Sequence, residues 1–140
     1  MNQPDFYFEI KYSEYGYTEF YIPPNEDGKF RIPGNAYYQW PTKKDVAIWA
    51  LPNPEGDFNI AVYMKLKGPN SFEYFKNKPQ EFENYINEVF PDSKTLMPGI
   101  KHVIEKFGIT RLINVKCYPW TLGKFTLMGD AAHSMNPFTG

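Results

Sequence analysis

The sequence predicts an α+β fold in which helices cover one face of a mainly antiparallel sheet. Apolar and polar residues alternate along several short stretches in the first half of the chain and again after residue 112. Between these stretches, apolar residues recur at the spacing of two amphipathic helices. A run of strands, then two helices, then two further strands is typical of this layered architecture.

The first 40 residues predict short strands separated by turns. Alternation over residues 6–10 and 18–22 indicates two strands, and Tyr15-Gly16-Tyr17 between them is typical of a turn. Residues 30–32 and 36–40 are shorter strand candidates on either side of a Pro-Gly-Asn turn.

An antiparallel hairpin is predicted next. Residues 46–51 are apolar at every position, which is typical of a strand covered on both faces. A buried helix is the alternative, but the shortness of the run and the Pro52-Asn53-Pro54 segment after it favour a strand. Residues 58–66 then alternate between apolar and other side chains, so the two runs predict a pair of strands around a short loop.

Two amphipathic helices are predicted after residue 78. Their apolar positions follow helical spacing, and proline or glycine residues stand at their ends. The first helix presents Phe82, Tyr85, Ile86, Val89 and Phe90, and the second presents Ile100, Val103, Ile104 and Phe107.

The composition excludes several classes of protein. A net charge of −1 over 140 residues, with both signs scattered, indicates no nucleic acid or other polyanion as a partner. The single Cys117 excludes an intramolecular disulfide framework, fits a reducing intracellular compartment, and is interpreted as a small buried apolar residue. Neither His102 nor His133 is accompanied by a cluster of cysteines or carboxylates, so no metal site is predicted.

The last twelve residues carry most of the functional information. Residues 125–128 are predicted to form a short buried strand, which leads into Gly129 and Asp130. Gly129 and the alanines after Asp130 leave room for the backbone to pass close to a ligand. Asp130 places a carboxylate after the carboxyl end of a strand, where open α/β sheets bind ligands.

This terminal segment resembles the second FAD fingerprint of the single-component flavoprotein hydroxylases, the family with the para-hydroxybenzoate hydroxylase fold. Within the family, the chain resembles the kynurenine 3-monooxygenase branch, and shorter matching pieces run in the family's order across nearly all of it. These pieces are Tyr15-Gly16-Tyr17, Tyr21-Ile22-Pro23-Pro24, Trp40-Pro41, Ala50-Leu51-Pro52-Asn53, Phe90-Pro91-Asp92 and Val115-Lys116-Cys117.

The resemblance implies an enzyme that hydroxylates the aromatic ring of kynurenine with FAD, NADPH and O2 through a flavin C4a-hydroperoxide. No residue of this chain is expected to be catalytic, because the flavin carries the oxygen chemistry. The Asp130 carboxylate would accept a hydrogen bond from the ribityl chain of FAD, and a turn aspartate bound to local amides is the structural alternative. Gly129, Ala131, Pro137 and Gly140 would line the same path through backbone contacts.

A substrate-binding surface is implied on the predicted hairpin. Ala47, Trp49 and Leu51 share one strand face, and Tyr63 can join them across the hairpin. By resemblance these residues and Phe138 lie against the aromatic ring of the substrate, although the spacing alone favours ordinary core packing. Trp49 replaces a medium-sized aliphatic residue of the family and Ala47 replaces a larger one, which leaves the identity of the substrate open.

The chain also lacks parts that the family has. No Gly-x-Gly-x-x-Gly segment occurs, and in the family that segment and the arginine for the substrate carboxylate lie upstream. The chain therefore resembles a middle fragment, expected to be inactive alone. Residues 1–120 would come from the substrate-binding domain and residues 121–140 from the returning segment of the FAD-binding domain. The missing N- and C-terminal parts would be its partners, and only a C-terminal segment would attach it to a membrane, so cytoplasmic and mitochondrial outer-membrane locations both stay open.

Two other functions stay open at this point. One is an FAD monooxygenase for another aromatic substrate, and the other is a non-catalytic α+β binding module. An upstream reading frame with a Gly-x-Gly-x-x-Gly segment would favour an enzyme, and its absence from a verified transcript would favour the module.

Overall fold

The computed structural model describes residues 5–41 and 44–137, apart from the side chains of Ile104 and Phe107. The chain divides into two compact units. We call Tyr15–Thr110 the sheet–helix unit, and Met1–Glu14 together with Arg111–Gly140 the terminal unit. The predicted boundary between residues 120 and 121 separates a substrate-binding part from an FAD-binding part. This division stays a prediction.

The first strand, β1, is longer than the sequence predicts. It runs without interruption over Tyr7–Ile22, so the predicted turn at Tyr15-Gly16-Tyr17 is wrong. In the sheet–helix unit its second half pairs antiparallel with β4 (Phe58–Lys65), which pairs antiparallel with β3 (Val46–Pro52). The strand β2 (Tyr38–Trp40) completes this part of the sheet in the order β2-β3-β4-β1. No strand forms at residues 30–32.

Gly16 is required for close approach between chain segments and not for a turn. It is buried in extended conformation, and a Cβ placed on it would lie 2.7 Å from the Thr110 backbone oxygen and 2.7 Å from Leu66 Cδ2. A glycine inside a strand often marks such an approach. Because Gly16 has no side chain, β1 can lie against Thr110 and Leu66. From the sequence alone, this glycine is interpreted as part of a turn.

We expect Gly16→Ala to lower the free energy of unfolding by about 1–3 kcal/mol, because the new methyl group overlaps a backbone atom that cannot rotate away. Thr18→Val is the matched control on the same strand face. Thr18 is 2% exposed and its hydroxyl has no hydrogen-bond partner among the described residues, so an apolar replacement of equal shape is expected to be neutral or stabilising. Urea unfolding of the three proteins measures both effects, and equal stabilities for Gly16→Ala and the unaltered chain would contradict the close approach.

Five helical segments follow β4 in the sheet–helix unit. They are α1 (Phe72–Phe75), α2 (Pro79–Val89), α3 (Ser93–Leu96), a 3-10 turn at Ile100–His102, and α4 (Val103–Phe107). The first predicted helix is confirmed as α2, with Pro79 in its first turn, where its missing N–H costs no hydrogen bond. The second predicted helix is confirmed in position but begins as the 3-10 turn.

The helices bury one face of the sheet. The core combines alternate residues of β3 and β4, such as Ile48 and Val62, with Phe82 and Ile86 of α2, all fully buried. This arrangement confirms the predicted mainly antiparallel sheet with helices on one face. The prediction that β3 is covered on both faces is wrong, because Ala47 and Trp49 are only partly buried and Leu51 is 55% exposed. A run of apolar residues occurs both in strands that are buried on two faces and in strands whose second face is apolar but exposed. The sequence alone does not tell these two cases apart.

The terminal unit contains the first half of β1 beside β5 (Thr110–Tyr118), followed by a small hairpin and a short helix. The hairpin consists of β6 (Thr121–Leu122) and β7 (Phe125–Thr126), and the helix is α5 (Asp130–His133). The predicted buried strand at residues 125–128 is wrong in length and in burial. It has two residues, and Phe125 and Met128 are 83% and 79% exposed. Apolar composition indicates that these side chains favour burial, but it does not say which surface covers them.

None of the described helices is suited to crossing a membrane. The longest, α2, has 11 residues, whereas a span takes about 20.

Candidate functional site

The predicted substrate-binding residues of the hairpin lie together on the sheet face opposite the helices. The register pairs Ala47 with Tyr63 and Trp49 with Ala61, so the side chains of Ala47, Trp49 and Tyr63 are direct or diagonal neighbours. Leu51 lies on the same face two residues further along β3, opposite Asn59. The geometry that the alternation predicts for these four residues is therefore present, while their role toward a substrate stays a prediction.

Tyr63 is the centre of an aromatic cluster on this face. Its ring centroid lies 5.1 Å from that of Trp49 and 5.4 Å from that of Tyr17, which is the range of favourable ring contacts. Tyr63 is 7% exposed, and burial raises its pKa, with smaller contributions in the same direction from Tyr17 and Glu19. The phenol therefore stays protonated near neutral pH and keeps a hydroxyl that can donate a hydrogen bond.

Sequence reasoning missed the contribution of β1 to this face. Tyr17 pairs with Tyr63, Glu19 with Ala61, and Tyr21 with Asn59. The alternation Tyr17, Glu19, Tyr21 is visible in the sequence, but the wrongly predicted turn at Gly16 removed the reason to align it with β4. The face is consequently more polar than the hairpin alone suggested.

The predicted cofactor motif begins at a residue that favours glycine. Gly129 has φ 57° and ψ −139°, a left-handed backbone that side-chain-bearing residues rarely adopt. Apart from its chain neighbours, no described residue has an atom within 4 Å of a Cβ placed there. Its carbonyl oxygen accepts hydrogen bonds from the backbone N–H groups of Ala132 and His133. Asp130 and Ala131 follow on the surface, and among the described residues none hydrogen-bonds to the Asp130 carboxylate.

Hydrogen bonds to β5 fix the path of the motif. The Cys117 thiol donates to the Ala132 carbonyl oxygen at 3.2 Å, and the Val115 N–H donates to the Ser134 carbonyl oxygen at 2.9 Å. Further along, the Asn136 N–H donates to Asn114 Oδ1 at 3.0 Å. Cys117 is 8% exposed, which confirms it as a small buried residue. The motif is thus held along one strand, with Asp130 projecting from it.

The motif fits a cofactor that offers hydrogen-bond donors. Asn136 Oδ1 is shielded from solvent yet has no partner among the described residues, and an unpaired buried acceptor is costly unless a donor reaches it. Together with the Asp130 carboxylate, it gives the segment two acceptors for hydroxyl or N–H groups, which the ribityl chain and the ring of FAD possess. The open space beside Gly129 is consistent with a ligand passing close to the backbone.

The remaining predicted residues contribute differently. Pro137 lies on the surface at the end of the described chain, whereas Phe138 and Gly140 lie outside the described residues. The ring of His133 packs on Trp120 with centroids 5.0 Å apart, which is a structural contact, and His102 is exposed near Glu105. Within the described part of the chain no group of three or more metal-ligating side chains occurs.

Solved structures define the class of fold. The chain superposes on 2-methyl-3-hydroxypyridine-5-carboxylic acid oxygenase with a TM-score of 0.68 at 20% identity, covering 94% of this chain and 34% of that one. It also matches Klebsiella pneumoniae HpxO complexed with FAD, with a TM-score of 0.58 at 16% identity, covering 92% and 32%. The chain therefore has the fold of a segment of these proteins.

Sequence comparison narrows the resemblance to one kind of protein. The chain is 35% identical to kynurenine 3-monooxygenase of Flavobacterium psychrophilum over 141 residues, which is 100% of this chain and 31% of that protein. The enzyme of the same name from Myxococcus xanthus is 34% identical over 139 residues, 99% and 30% of the two chains. The predicted resemblance to kynurenine 3-monooxygenases is thus confirmed, and the chain spans about a third of their length. No protein-family model matches the chain.

Proposed function

We propose that this chain is part of an FAD-dependent, NADPH-consuming monooxygenase that hydroxylates the aromatic ring of kynurenine. The observation that carries the proposal is the motif at Gly129 and Asp130, whose exposed carboxylate and left-handed glycine suit an approaching cofactor. The similarity to kynurenine 3-monooxygenases over the whole chain supports the choice of substrate.

In this proposal the chain binds and orients, and bound FAD supplies the oxygen activation. Asp130 accepts a hydrogen bond from the ribityl chain, while Gly129, Ala131, Pro137 and Gly140 line the cofactor through their backbones. The sheet face of Ala47, Trp49, Leu51 and Tyr63, with Phe138, contacts the aromatic ring of the substrate. Aromatic and apolar groups on that face exclude water from the ring and restrict its orientation.

An FAD monooxygenase for a different aromatic acid is the second candidate. The observation that favours it is the size of Trp49, which packs against Tyr63 and occupies volume on the proposed substrate face.

We also propose an intracellular location, in the cytoplasm or at the mitochondrial outer membrane. It rests on the single cysteine and on the resemblance.

The test is activity of the complete reading frame that contains the chain. The purified protein, supplied with FAD, NADPH and oxygen, is incubated with kynurenine and with a panel of phenolic and amino-substituted aromatic acids. We expect NADPH oxidation coupled to a hydroxylated kynurenine product. Coupled hydroxylation of another panel member alone would select the second candidate, and a protein that binds no FAD would leave only the non-catalytic binding module.

A further inference from the structure

Large and small side chains alternate on the sheet face opposite the helices. Trp49 on β3 pairs with Ala61 on β4, and Tyr63 on β4 pairs with Ala47 on β3. Each large aromatic side chain therefore stands beside a methyl group on the neighbouring strand. At Ala61, the neighbours on this face are Trp49 on one side and Tyr63 two residues along the same strand.

The other neighbours of Ala61 are polar, and both are hydrogen-bond acceptors. Glu19 pairs with Ala61 across β1 and β4, and Asn59 precedes Ala61 by two residues on the same face. The oxygen Asn59 Oδ1 is buried from solvent and has no hydrogen-bond partner among the described residues. The Glu19 carboxylate is close enough to Tyr63 to help raise the pKa of its phenol. On this face Ala61 is therefore flanked by Trp49, Tyr63, Asn59 and Glu19.

This combination selects a definite ligand chemistry. A flat aromatic ligand ring is favoured, because it can pack on the short side chain of Ala61 and contact the neighbouring aromatic rings. Two acceptors favour a group with two N–H donors, and a carboxylate among them disfavours an anionic group at the same place. An amino group attached directly to an aromatic ring satisfies all of these conditions.

We propose that the surface over Ala61 is a subsite for the amino group of an arylamine substrate, with Glu19 and Asn59 as the acceptors of its two N–H groups. The ring itself would lie against Trp49 and Tyr63, whose rings contact each other. The inference rests on the proposed function and deepens it, because it assigns specificity for a ring amine to two residues outside the family motif. The carboxylate of the substrate would be bound elsewhere, because Trp49, Tyr63, Asn59 and Glu19, the described neighbours of Ala61 on this face, carry no positive charge.

The experiment compares two ligands that differ only in the ring amine. The complete protein with bound FAD is titrated calorimetrically with L-kynurenine and with the analogue in which hydrogen replaces the amine. We expect Glu19→Ala to weaken kynurenine binding about ten- to a hundredfold, the loss of a charge-assisted hydrogen bond, and to leave binding of the analogue nearly unchanged. Glu19→Gln keeps an uncharged acceptor and is expected to give a smaller loss, which also covers the case in which Glu19→Ala does not fold.

Asn59→Leu tests the second acceptor, and Glu26→Gln is the control. Glu26 is an exposed carboxylate in the turn after β1, so its change is expected to alter the affinity of neither ligand. Asn59→Leu is expected to reduce the preference for kynurenine over the analogue several-fold. Equal losses for both ligands in the Glu19 and Asn59 variants would assign these residues a structural role, and an unchanged preference would equally overturn the subsite.

A second arm separates this inference from the proposed function. The 140-residue chain with 13C-labelled alanine methyl groups is titrated with 2-aminobenzoate and with benzoate, and the Ala61 signal is assigned by its loss in Ala61→Gly. A shift of that signal with 2-aminobenzoate only, in a protein whose full reading frame shows no hydroxylation, would uphold the amine subsite and reject the hydroxylase. Hydroxylation of kynurenine and its analogue at equal efficiency, with no selective shift, would reject the subsite and keep the hydroxylase.

Discussion

Asp130→Ala in the complete protein is expected to weaken FAD binding by about ten- to a hundredfold, with little change in the melting temperature of the apoprotein. The loss corresponds to roughly 1.5–3 kcal/mol, the contribution of one hydrogen bond to a charged group. The small effect on folding follows from the structure, because the side chain is exposed and no described residue hydrogen-bonds to it. The dissociation constant is measured by fluorescence quenching of added FAD.

Two further variants make this result specific. Asp130→Asn keeps an acceptor without the charge, so its loss of affinity should be smaller than that of Asp130→Ala. Asp5→Ala removes another exposed carboxylate of the terminal unit and should leave the dissociation constant unchanged. If Asp130→Ala binds FAD as tightly as the unaltered protein, the aspartate belongs to the turn alone and the cofactor assignment is wrong.

The elements with a strong internal pattern were predictable from the sequence. The β3–β4 hairpin and α2 are present where the sequence placed them. The alternation over residues 58–66 and the helical spacing over residues 82–90 each end at a turn or a proline, and the apolar run of residues 46–51 ends at Pro52. Gly16 shows the limit of this reasoning. A glycine between two strand patterns indicates a turn or a close backbone approach, and only the position of Thr110, 94 residues away in sequence, decides between them.

The same error hid part of the candidate site. The cofactor motif is local, so its backbone requirement at Gly129 and its exposed Asp130 follow from twelve consecutive residues. The sheet face is assembled from three strands, and its composition depends on register. With β1 divided at Gly16, the sequence gives no reason to place Glu19 opposite Ala61. A wrongly placed turn therefore leaves residues out of a predicted face, because the position of each residue on a face follows from the pairing of its strand.

Trp49→Ile in the complete protein is expected to shift substrate preference toward larger ring substituents. Trp49 lies on the sheet face away from the core, partly exposed, with its ring 5.1 Å from that of Tyr63. Replacing it with the smaller side chain enlarges the space next to the substrate ring. A methylene-sized change in such a pocket alters discrimination by about 1–3 kcal/mol, so the ratio of kcat/KM for two aromatic acids of different size should change at least about tenfold.

Ile48→Val is the matched control, because it shortens the neighbouring side chain on the opposite face of the same strand. Ile48 is fully buried in the helix-covered core, so this change should cost about 0.5–1.5 kcal/mol of stability and leave the kcat/KM ratio unchanged. Melting temperature and the kcat/KM ratio are measured for both variants. If Trp49→Ile also lowers stability without changing the ratio, Trp49 is a packing residue like Ile48, and the sheet face does not contact the substrate ring at this position.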